Sequence, residues 1–502
     1  MKYIGRYAIL GRLGRGGMGA VYKAAMPVTG KIVALKTCEP AEILVDLMGR
    51  ERLAELFFRE AAIMARIRHP NIAGVWDAGE ADGVPFYTME YFCNNVGAVI
   101  GETYRVEEPT RRLPPDVALD LARQVLLGLR RLHAAGIVHR DVKPFNMLLA
   151  DREGGSGEGL EEVKLIDLGL SRVRGETFQR PKGMVVGSPY YAAPEQERDP
   201  DCVDGRADVF AVGVTLFRML TGRLPNESPD CERRAGAVRP ELGDVFDDLL
   251  LRTCAEDPAA RPVSASALLA ELDEVAARWG ERRDATCSLY EPEDGSPCER
   301  RLRSEPVKIR LRDARDAFGL DALWRPVLCL ENDFVEEGAG RGAGDVGAGR
   351  NALGLRNTAI RAARRPGGRA PDIPRADVPG ADGGTVLDRA TGLVWQRSGS
   401  PYALDWDGAL AYVAALNARR FAGRADWRLP TVPEVCSLLR PADEPGRYCV
   451  ESVFDPDAPR SRTRLWTADR KAFTAAWYAD TETGFVWWQD MTCSFSVRAV
   501  AG

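Results

Sequence analysis

Residues 139–149 read HRDVKPFNMLL, and this stretch decides the fold of the first half of the chain. Transfer of a phosphoryl group needs a carboxylate to accept a hydroxyl proton, a cation to neutralise the phosphate and a hard oxygen to bind a metal ion. Asp141, Lys143 and Asn146 provide these three groups in the required order. A chance occurrence of the whole string is negligible.

A glycine-rich stretch, LGRGGMGAV, lies upstream at residues 13–21. Glycines let the backbone of a hairpin lie close over phosphates, where a Cβ would clash. Dinucleotide-binding loops share this G-x-G-x-x-G spacing, but a helix follows them directly. Here the strand-like run IVALK follows and ends at Lys36. The order of elements therefore favours a hairpin over the phosphates of ATP.

A helix is predicted over about residues 52–68 from the spacing of its apolar residues. These residues are Leu53, Phe57, Met64 and Ile67. Glu60 lies on the same face, and a carboxylate that faces a core normally needs a cationic partner. Lys36 is the expected partner, in a pair that holds the α- and β-phosphates. The alternative is an exposed Glu60 at the edge of the apolar stripe.

Downstream, residues 164–169 read KLIDLG. Mg²⁺ prefers hard oxygen ligands and bridges the phosphates of a nucleotide. Asp167 is therefore predicted to be the second metal ligand beside Asn146, which makes ATP and Mg²⁺ the expected cofactors.

In this order the motifs resemble those of bacterial eukaryotic-like (Hanks-type) Ser/Thr protein kinases over residues 3–279. The resemblance implies a bilobal α+β fold, with Lys36, Glu60, Asp141 and Lys143 as catalytic residues. Lys143, two residues after Asp141, favours Ser and Thr over Tyr as acceptors. Met89 is the implied gatekeeper, before a hinge at residues 90–92. The implied ATP-binding residues are Leu13, Gly14, Gly16, Gly17, Gly19, Val21, Ala34, Lys36, Glu90, Phe92 and Leu148.

The string GSPYYAAPEQ at residues 187–196 resembles the end of a kinase activation segment. The resemblance implies an ion pair between Glu195 and Arg261, and it makes Asp208 the anchor of the catalytic loop.

Three positions depart from the family pattern. Leu168 replaces the usual Phe of the metal triplet, and Ser188 stands where Thr is usual. No Ser or Thr lies about a dozen residues before Glu195, where these kinases usually autophosphorylate. Thr177 is the nearest upstream candidate, so we expect weak or no dependence on phosphorylation of this loop.

Composition excludes several classes of protein. The 502 residues carry a net charge of −5, which gives no reason to expect nucleic acid as a partner. No apolar run approaches the roughly 20 residues that span a bilayer, and the N-terminus lacks a signal-peptide core. A cytoplasmic location is therefore expected. No His follows His139, so a His-based triad or His-ligated metal site is not expected in the C-terminal two-thirds.

Three segments are predicted: a kinase domain at 1–279, a partly disordered linker at 280–375 and a C-terminal domain at 376–502. Residues 341–369 contain seven Arg and one Asp, which is typical of a solvated tether. Binding to an acidic partner is the alternative. Residues 305–336 are apolar enough to pack against another element, which the sequence does not identify.

The C-terminal segment holds seven of the ten Trp. A hairpin is predicted at 384–396, a helix at 405–421 and a second helix opened by a capping box of Thr431 and Glu434. The strings TGLVWQ and DWRLPT resemble a bacterial domain family with a C-type-lectin-like fold, also found at the C-terminal end of collagen-like adhesins. The resemblance implies a small α+β domain and hints at an unknown ligand or partner. The Trp residues form either its core or a sugar-stacking surface.

Three hypotheses remain open for the chain as a whole. The first is an active kinase that carries a sensor or recruitment domain. The second is a pseudokinase scaffold, against which the complete set of catalytic residues argues. The third is a ligand-binding protein whose main role lies in the C-terminal domain.

Overall fold

The computed structural model describes residues 2–16, 18–103, 105–150, 162–167, 172–173, 190–198, 202–225, 234–280, 302–326, 332–337, 384–439, 450, 453–454 and 463–502. The chain divides into two compact units, Met1–Thr286 and Cys287–Gly502. Within the described residues, none of the helices is long and apolar enough to cross a bilayer.

The first unit begins with an antiparallel sheet of strand order β1-β2-β3-β4-β6-β5, with two helices after β4. The elements are β1 (Lys2–Ile4), β2 (Tyr7–Arg15), β3 (Gly19–Ala25), β4 (Ile32–Cys38), α1 (Glu42–Met48), α2 (Arg50–Arg66), β5 (Val75–Ala81) and β6 (Val84–Glu90). The apolar face of α2 packs against β4 and β6, where Phe57 and Ala61 meet Ala34 and Tyr87. Helix α2 begins and ends two residues earlier than its apolar spacing predicts.

The rest of the first unit is mainly helical, with two small sheets of order β10-β9-β7 and β11-β8. Its elements are β7 (Asn94–Asn95), α3 (Val96–Ile100), α4 (Pro115–Ala134), β8 (Ile137–Val138), β9 (Met147–Ala150), β10 (Glu162–Leu165), β11 (Arg172–Val173), α5 (Pro194–Arg198), α6 (Arg206–Thr221), α7 (Ala235–Val238), α8 (Asp247–Thr253) and α9 (Ala265–Gly280). Every residue of α6 from Ala207 to Thr221 is buried. Because α6 is buried on all sides, it lies inside the core of the first unit and gives the loops beside it a rigid support.

The second unit has mixed helices and strands, with sheets of order β12-β13-β14-β18 and β15-β16-β17. Its elements are α10 (Leu311–Phe318), β12 (Phe334–Glu337), β13 (Thr385–Asp388), β14 (Val394–Gln396), α11 (Trp406–Ala418), α12 (Val432–Ser437), β15 (Arg464–Arg470), β16 (Ala475–Asp480), β17 (Phe485–Asp490) and β18 (Val500–Ala501). The predicted hairpin is β13–β14, and both halves of the predicted capping box open α12. Trp395, Trp466 and Trp477 are fully buried, so these three belong to the core.

The segment before the predicted C-terminal domain belongs to the second unit. Ala314 and Phe318 of α10 pack in one cluster with Val435 and Trp477, and β12 pairs antiparallel with β13. The predicted limits, a linker at 280–375 and a domain from 376, are therefore wrong for the described residues 302–326 and 332–337. The apolar side chains of this segment have their partners in the C-terminal core. The basic stretch 341–369 lies outside the described residues.

Two buried carboxylates fasten residues 302–307 to the rest of this unit. Asp469 accepts hydrogen bonds from Arg303 at 3.0 and 3.1 Å and from the backbone N–H groups of Val307 and Val432 at 2.7 Å. Glu434 accepts two from Arg428 and one from Ser304, each at 2.7 Å. Burial alone would raise the pKa of Glu434, but the donors from Arg428, Thr431 and Ser304 outweigh it and hold the pKa below its usual range.

The stability of the second unit should therefore fall in acid. The contribution of a carboxylate with a lowered folded-state pKa is fully present above the unfolded value of about 4.3 and is lost as the pH falls through the folded value. We expect Glu434→Gln to lower the unfolding free energy by about 1.5–3 kcal/mol at pH 7. Thermal melting followed by Trp fluorescence should show this difference shrinking below pH 4. A difference that stays constant from pH 7 to pH 3 would contradict the assignment.

Candidate active site

Lys36, on β4, lies between two carboxylates. Its Nζ is 3.0 Å from Oε1 of Glu60 on α2 and 2.9 Å from Oδ1 of Asp167, which follows β10. Tyr87, the cross-strand neighbour of Lys36 on β6, donates its hydroxyl to the same Oε1 of Glu60 at 2.9 Å. Glu60 therefore faces inward with a cationic partner, as the helical spacing predicts, rather than lying exposed at the edge of the stripe.

The charges of this group stabilise one another. Burial acts to lower the pKa of Lys36, but Asp167 and Glu60 outweigh it and raise the pKa well above its usual value. Lys36 in turn lowers the pKa of Asp167 to about 2. Burial raises the pKa of Glu60, and the positive charge of Lys36, which acts to lower it, offsets only part of this rise. At neutral pH the site therefore presents a charged lysine beside an ionised Asp167.

The catalytic loop brings Asp141, Lys143 and Asn146 into direct contact. Oδ2 of Asp141 accepts from Nζ of Lys143 at 2.9 Å and from Nδ2 of Asn146 at 3.0 Å. Asn146 also donates to the backbone carbonyl of Asp141 at 2.8 Å. Because both donations use Nδ2, they orient the amide so that Oδ1 is available as a ligand.

Asp208, at the start of α6, fixes the backbone of this loop. Its carboxylate accepts from the backbone N–H groups of His139 at 2.9 Å and Arg140 at 2.8 Å, and it contacts Nε2 of His133 at 2.7 Å. Arg140 has a φ of 68°, a conformation that costs a non-glycine residue energy and persists only when its surroundings impose it. The buried carboxylate provides that constraint.

His139 joins the catalytic loop to the segment that carries Asp167. Its Nδ1 accepts from the backbone N–H of Asp141 at 3.3 Å, and its Nε2 lies 3.1 Å from the carbonyl of Ile166. Since Nδ1 accepts, the proton lies on Nε2 and is donated to Ile166. Asp167 follows Ile166 directly and has a φ of 67°, so the imidazole links the backbone at Asp141 to the backbone beside Asp167.

The glycines of the N-terminal hairpin serve different purposes. A Cβ on Gly19 would lie 1.8 Å from the carbonyl oxygen of Thr37, so packing against β4 requires this glycine. A Cβ on Gly14 or Gly16 would meet no atom within 4 Å. Open space beside these two glycines fits the approach of phosphates, whereas Gly17 lies outside the described residues.

The other predicted ATP-binding residues and the implied gatekeeper Met89 lie on several strands. Ala34 and Met89 are cross-strand neighbours on β4 and β6 and pack in one apolar cluster with Val21. Glu90 ends β6 and Phe92 follows it, whereas Leu13 is exposed on β2. Leu148 lies on β9 and pairs with Asn95 of β7.

The described end of the predicted activation segment is tied to the helical part of the unit. Arg261 makes a two-pronged ion pair with Glu195 at 2.6 and 2.8 Å. Gln196 donates to the carbonyl of Arg140 at 2.9 Å, which links α5 to the catalytic loop. Thr177 and Ser188 lie outside the described residues, as do Leu168 and Gly169.

A further buried contact escapes sequence reasoning. The hydroxyl of Tyr191 donates to Oε1 of Glu102 at 2.6 Å. Glu102 follows α3 and is 89 residues away along the chain, and no motif or periodicity identifies such a pair. The contact braces the end of the activation segment against the loop before α4.

The donor set fits a hard divalent cation held jointly with phosphates. Asp167 uses Oδ1 for Lys36, and no hydrogen bond in the described part of the chain occupies its Oδ2. Within the same residues no cluster of three or more His, Cys, Asp or Glu could hold a metal ion. Mg²⁺ commonly takes one or two protein ligands and completes its shell with phosphate oxygens and water. Asn146 and Asp167 are residues of this type.

Two family models match this chain. The model of the protein kinase domain family matches residues 7–271, and that of the Lcl C-terminal domain matches residues 384–501. The serine/threonine-protein kinase pkn3 of Myxococcus xanthus is 32% identical over 301 residues, covering 55% of this chain and 51% of that protein. PksC of Streptomyces coelicolor, also a serine/threonine-protein kinase, is 36% identical over 292 residues, covering 55% and 50%. The chain thus spans about half the length of these relatives.

Among solved structures, the kinase domain of Mycobacterium tuberculosis PknI is similar to this chain. The identity is 27%, with a TM-score of 0.41, over 55% of this chain and 98% of that one.

Proposed function

The chain belongs to the protein kinase family, and from this premise we propose that it transfers the γ-phosphate of ATP to Ser or Thr hydroxyls of proteins. The observation that carries the proposal is the complete set of charged groups, in which Lys36 contacts both Glu60 and Asp167 while Lys143 contacts Asp141. A pseudokinase scaffold would have no need of this set. Incubation of the purified chain with labelled ATP and a generic protein substrate tests the proposal.

In the proposed reaction each residue has a distinct task. Asp141 orients the acceptor hydroxyl and takes its proton, and Lys143 neutralises charge on the transferred group. Lys36, held in place by Glu60, contacts the α- and β-phosphates. Asn146 and Asp167 would hold Mg²⁺, which supplies charge neutralisation at the phosphates when bound. We further propose that Gly14 and Gly16 lie over the phosphates, and that Val21, Ala34 and Leu148 contact adenine beside the hinge of Glu90 and Phe92.

The second unit is proposed to recruit substrates, through an unknown ligand or partner. Support comes from its own buried clusters, one around Trp477 and one around Trp395, which give it a core independent of the kinase unit. Tethered binding raises the effective concentration of a bound target without any conformational change. A C-type-lectin-like fold for this unit and a cytoplasmic site of action, where ATP is available, are part of the same proposal.

A chain that ends at Gly280 should separate the two roles. We expect it to phosphorylate myelin basic protein as well as the full chain does, and to lose phosphorylation of native targets in a lysate. Full-length Asp141→Asn is the control for other kinases in the lysate. If the truncated chain modifies the same native targets equally well, the recruitment role is refuted.

A further inference from the structure

Lysine is rare in the second unit, and both of its lysines lie at one end of the same sheet. Residues 287–502 contain 28 Arg and two Lys, which are Lys308 and Lys471. Lys471 follows β15 directly and opens the turn to β16, and Lys308 lies on the neighbouring segment, beside Arg470 at the end of β15. Lys is a compact cation whose pKa shifts readily on burial, whereas Arg is planar and always charged. The two cations at this end of the sheet are therefore not interchangeable with the many Arg elsewhere.

Lys471 is a partly buried cation that no carboxylate in the described part of the chain neutralises. Its Nζ lies over Trp488 of β17, 2.9 Å from the centroid of the ring. Burial lowers the pKa of Lys471 to about 8, whereas a carboxylate close by would raise the pKa. An ammonium that loses hydration normally gains an anion in return, and the face of an indole ring is a weaker partner than a carboxylate.

The charged groups nearest in the sheet already have partners of their own. Arg470 lies over an aromatic ring of α11, with its Cζ 5.7 Å from the centroid. Asp490, at the end of β17, accepts from the backbone N–H and the hydroxyl of Thr492, both at 2.9 Å. Asp469 is buried and is bound by Arg303. A counter-ion for Lys471 therefore has to come from outside these groups.

Two buried indole groups beside this lysine also lack an acceptor. Trp477 and Trp488 are directly opposite each other on β16 and β17, and within the described residues the Nε1 atom of each is buried without a hydrogen-bond partner. Buried donors of this kind are few in folded proteins. The adjoining turn is open to solvent, since Thr474 is exposed and Phe473 exposes 80% of its surface. A ligand that carries acceptor atoms can therefore approach Lys471 from this turn.

We propose that Lys471 and Trp488 form a binding site for one carboxylate group, carried either by an Asp or Glu side chain of a partner protein or by a small dicarboxylate. The inference rests on the proposed recruitment role of the second unit, to which it gives a chemistry. One carboxylate neutralises one ammonium, and the indole N–H of Trp488 is the available donor for its second oxygen. A phosphate dianion would leave surplus charge in a partly buried site, and such anions are typically held by the fork of an Arg.

The test is calorimetric titration of the purified full chain, without ATP, with hexaglutamate and with succinate at pH 7. We expect the wild type to bind a carboxylate probe and to bind neither hexaglutamine nor succinamide. Lys471→Met keeps an apolar stem over the ring and should weaken binding about 10-fold or more. Lys308→Met is the matched control, because Lys308 is exposed and its Nζ lies 3.3 Å from the ring centroid of Phe473; its affinity should stay within about 2-fold of the wild type.

The pH dependence identifies the group that binds. Only the charged ammonium attracts a carboxylate, so the affinity of the wild type should fall about 10-fold or more between pH 7 and pH 9.5, as Lys471 loses its proton above its pKa of about 8. Lys471→Arg stays charged, so any affinity it retains should be the same at both pH values. If Lys471→Met does not fold, the fall in affinity of the wild type decides the question.

Each outcome has a distinct meaning. Binding of hexaglutamate without succinate supports an acidic segment of a partner protein, and binding of succinate without hexaglutamate supports a small dicarboxylate. The inference is overturned if neither probe binds, or if Lys471→Met and Lys308→Met bind as the wild type does. The titration needs neither phosphate transfer nor a native target. Its failure is therefore distinct from failure of the recruitment role, which the chain ending at Gly280 tests.

Discussion

Asp141→Asn is expected to abolish detectable phosphate transfer while ATP still binds. In the proposed reaction this carboxylate takes the hydroxyl proton, and an amide in its place cannot act as a base. General-base catalysis contributes about 10²–10⁴-fold, and kinases turn over at roughly 1–100 s⁻¹. The remaining rate would therefore lie near the detection limit of an assay with labelled ATP and myelin basic protein.

The geometry also predicts that this variant keeps its fold. Asp141 meets Lys143 and Asn146 through Oδ2, and Asn preserves the shape of that contact. Asp273→Asn is a matched control, since Asp273 is half-exposed on α9 and pairs with Arg123; its activity should equal that of the wild type. Titration of ATP by calorimetry should give the same affinity for all three proteins. Near-normal turnover of Asp141→Asn would remove Asp141 from the mechanism.

The parts of the site that the sequence predicts well are local in the chain. Asp141, Lys143 and Asn146 lie within one loop, so their spacing alone indicates their joint chemistry. The pair of Lys36 and Glu60 is predicted because helical periodicity places Glu60 on a buried face, where a carboxylate needs a cation. In the loop, the spacing identifies the three residues that act together. For Glu60, burial on the helix face requires a cation, and Lys36 is the obvious candidate.

The parts that the sequence misses depend on distant partners. Arg303 reaches Asp469, which is 166 residues away, and β12 pairs with β13 across a long intervening stretch. Apolar patterning shows that residues 305–336 need a partner, but every apolar face in the chain satisfies that need equally well. The Gly-, Ala- and Arg-rich composition of residues 341–369 then favours a tether. The predicted start of the second unit therefore lies too late in the chain. The packing of α10 against Trp477 and the register of β12 against β13 assign the segment to the second unit.

Lys36→Met should also eliminate transfer, and it should act by a different route. The substitution removes the cation that contacts Glu60 and Asp167, so the phosphates lose a positive partner. It also leaves the buried carboxylate of Glu60 without its counter-charge, which typically costs about 3–5 kcal/mol when a buried pair loses one member. We therefore expect both loss of activity, about 10²-fold or more by the labelled-ATP assay, and a lower melting temperature.

A second substitution separates these two effects. Glu60→Gln in the Lys36→Met background removes the unpaired charge and leaves a neutral amide that can still accept from Tyr87, so much of the lost melting temperature should return. Activity should not return, because no cation then faces the phosphates. Lys36→Arg keeps the charge but replaces a compact ammonium with a planar group, and its activity should lie between those of the wild type and Lys36→Met. If the double variant regains activity together with stability, Lys36 supports the fold and takes no part in the transfer.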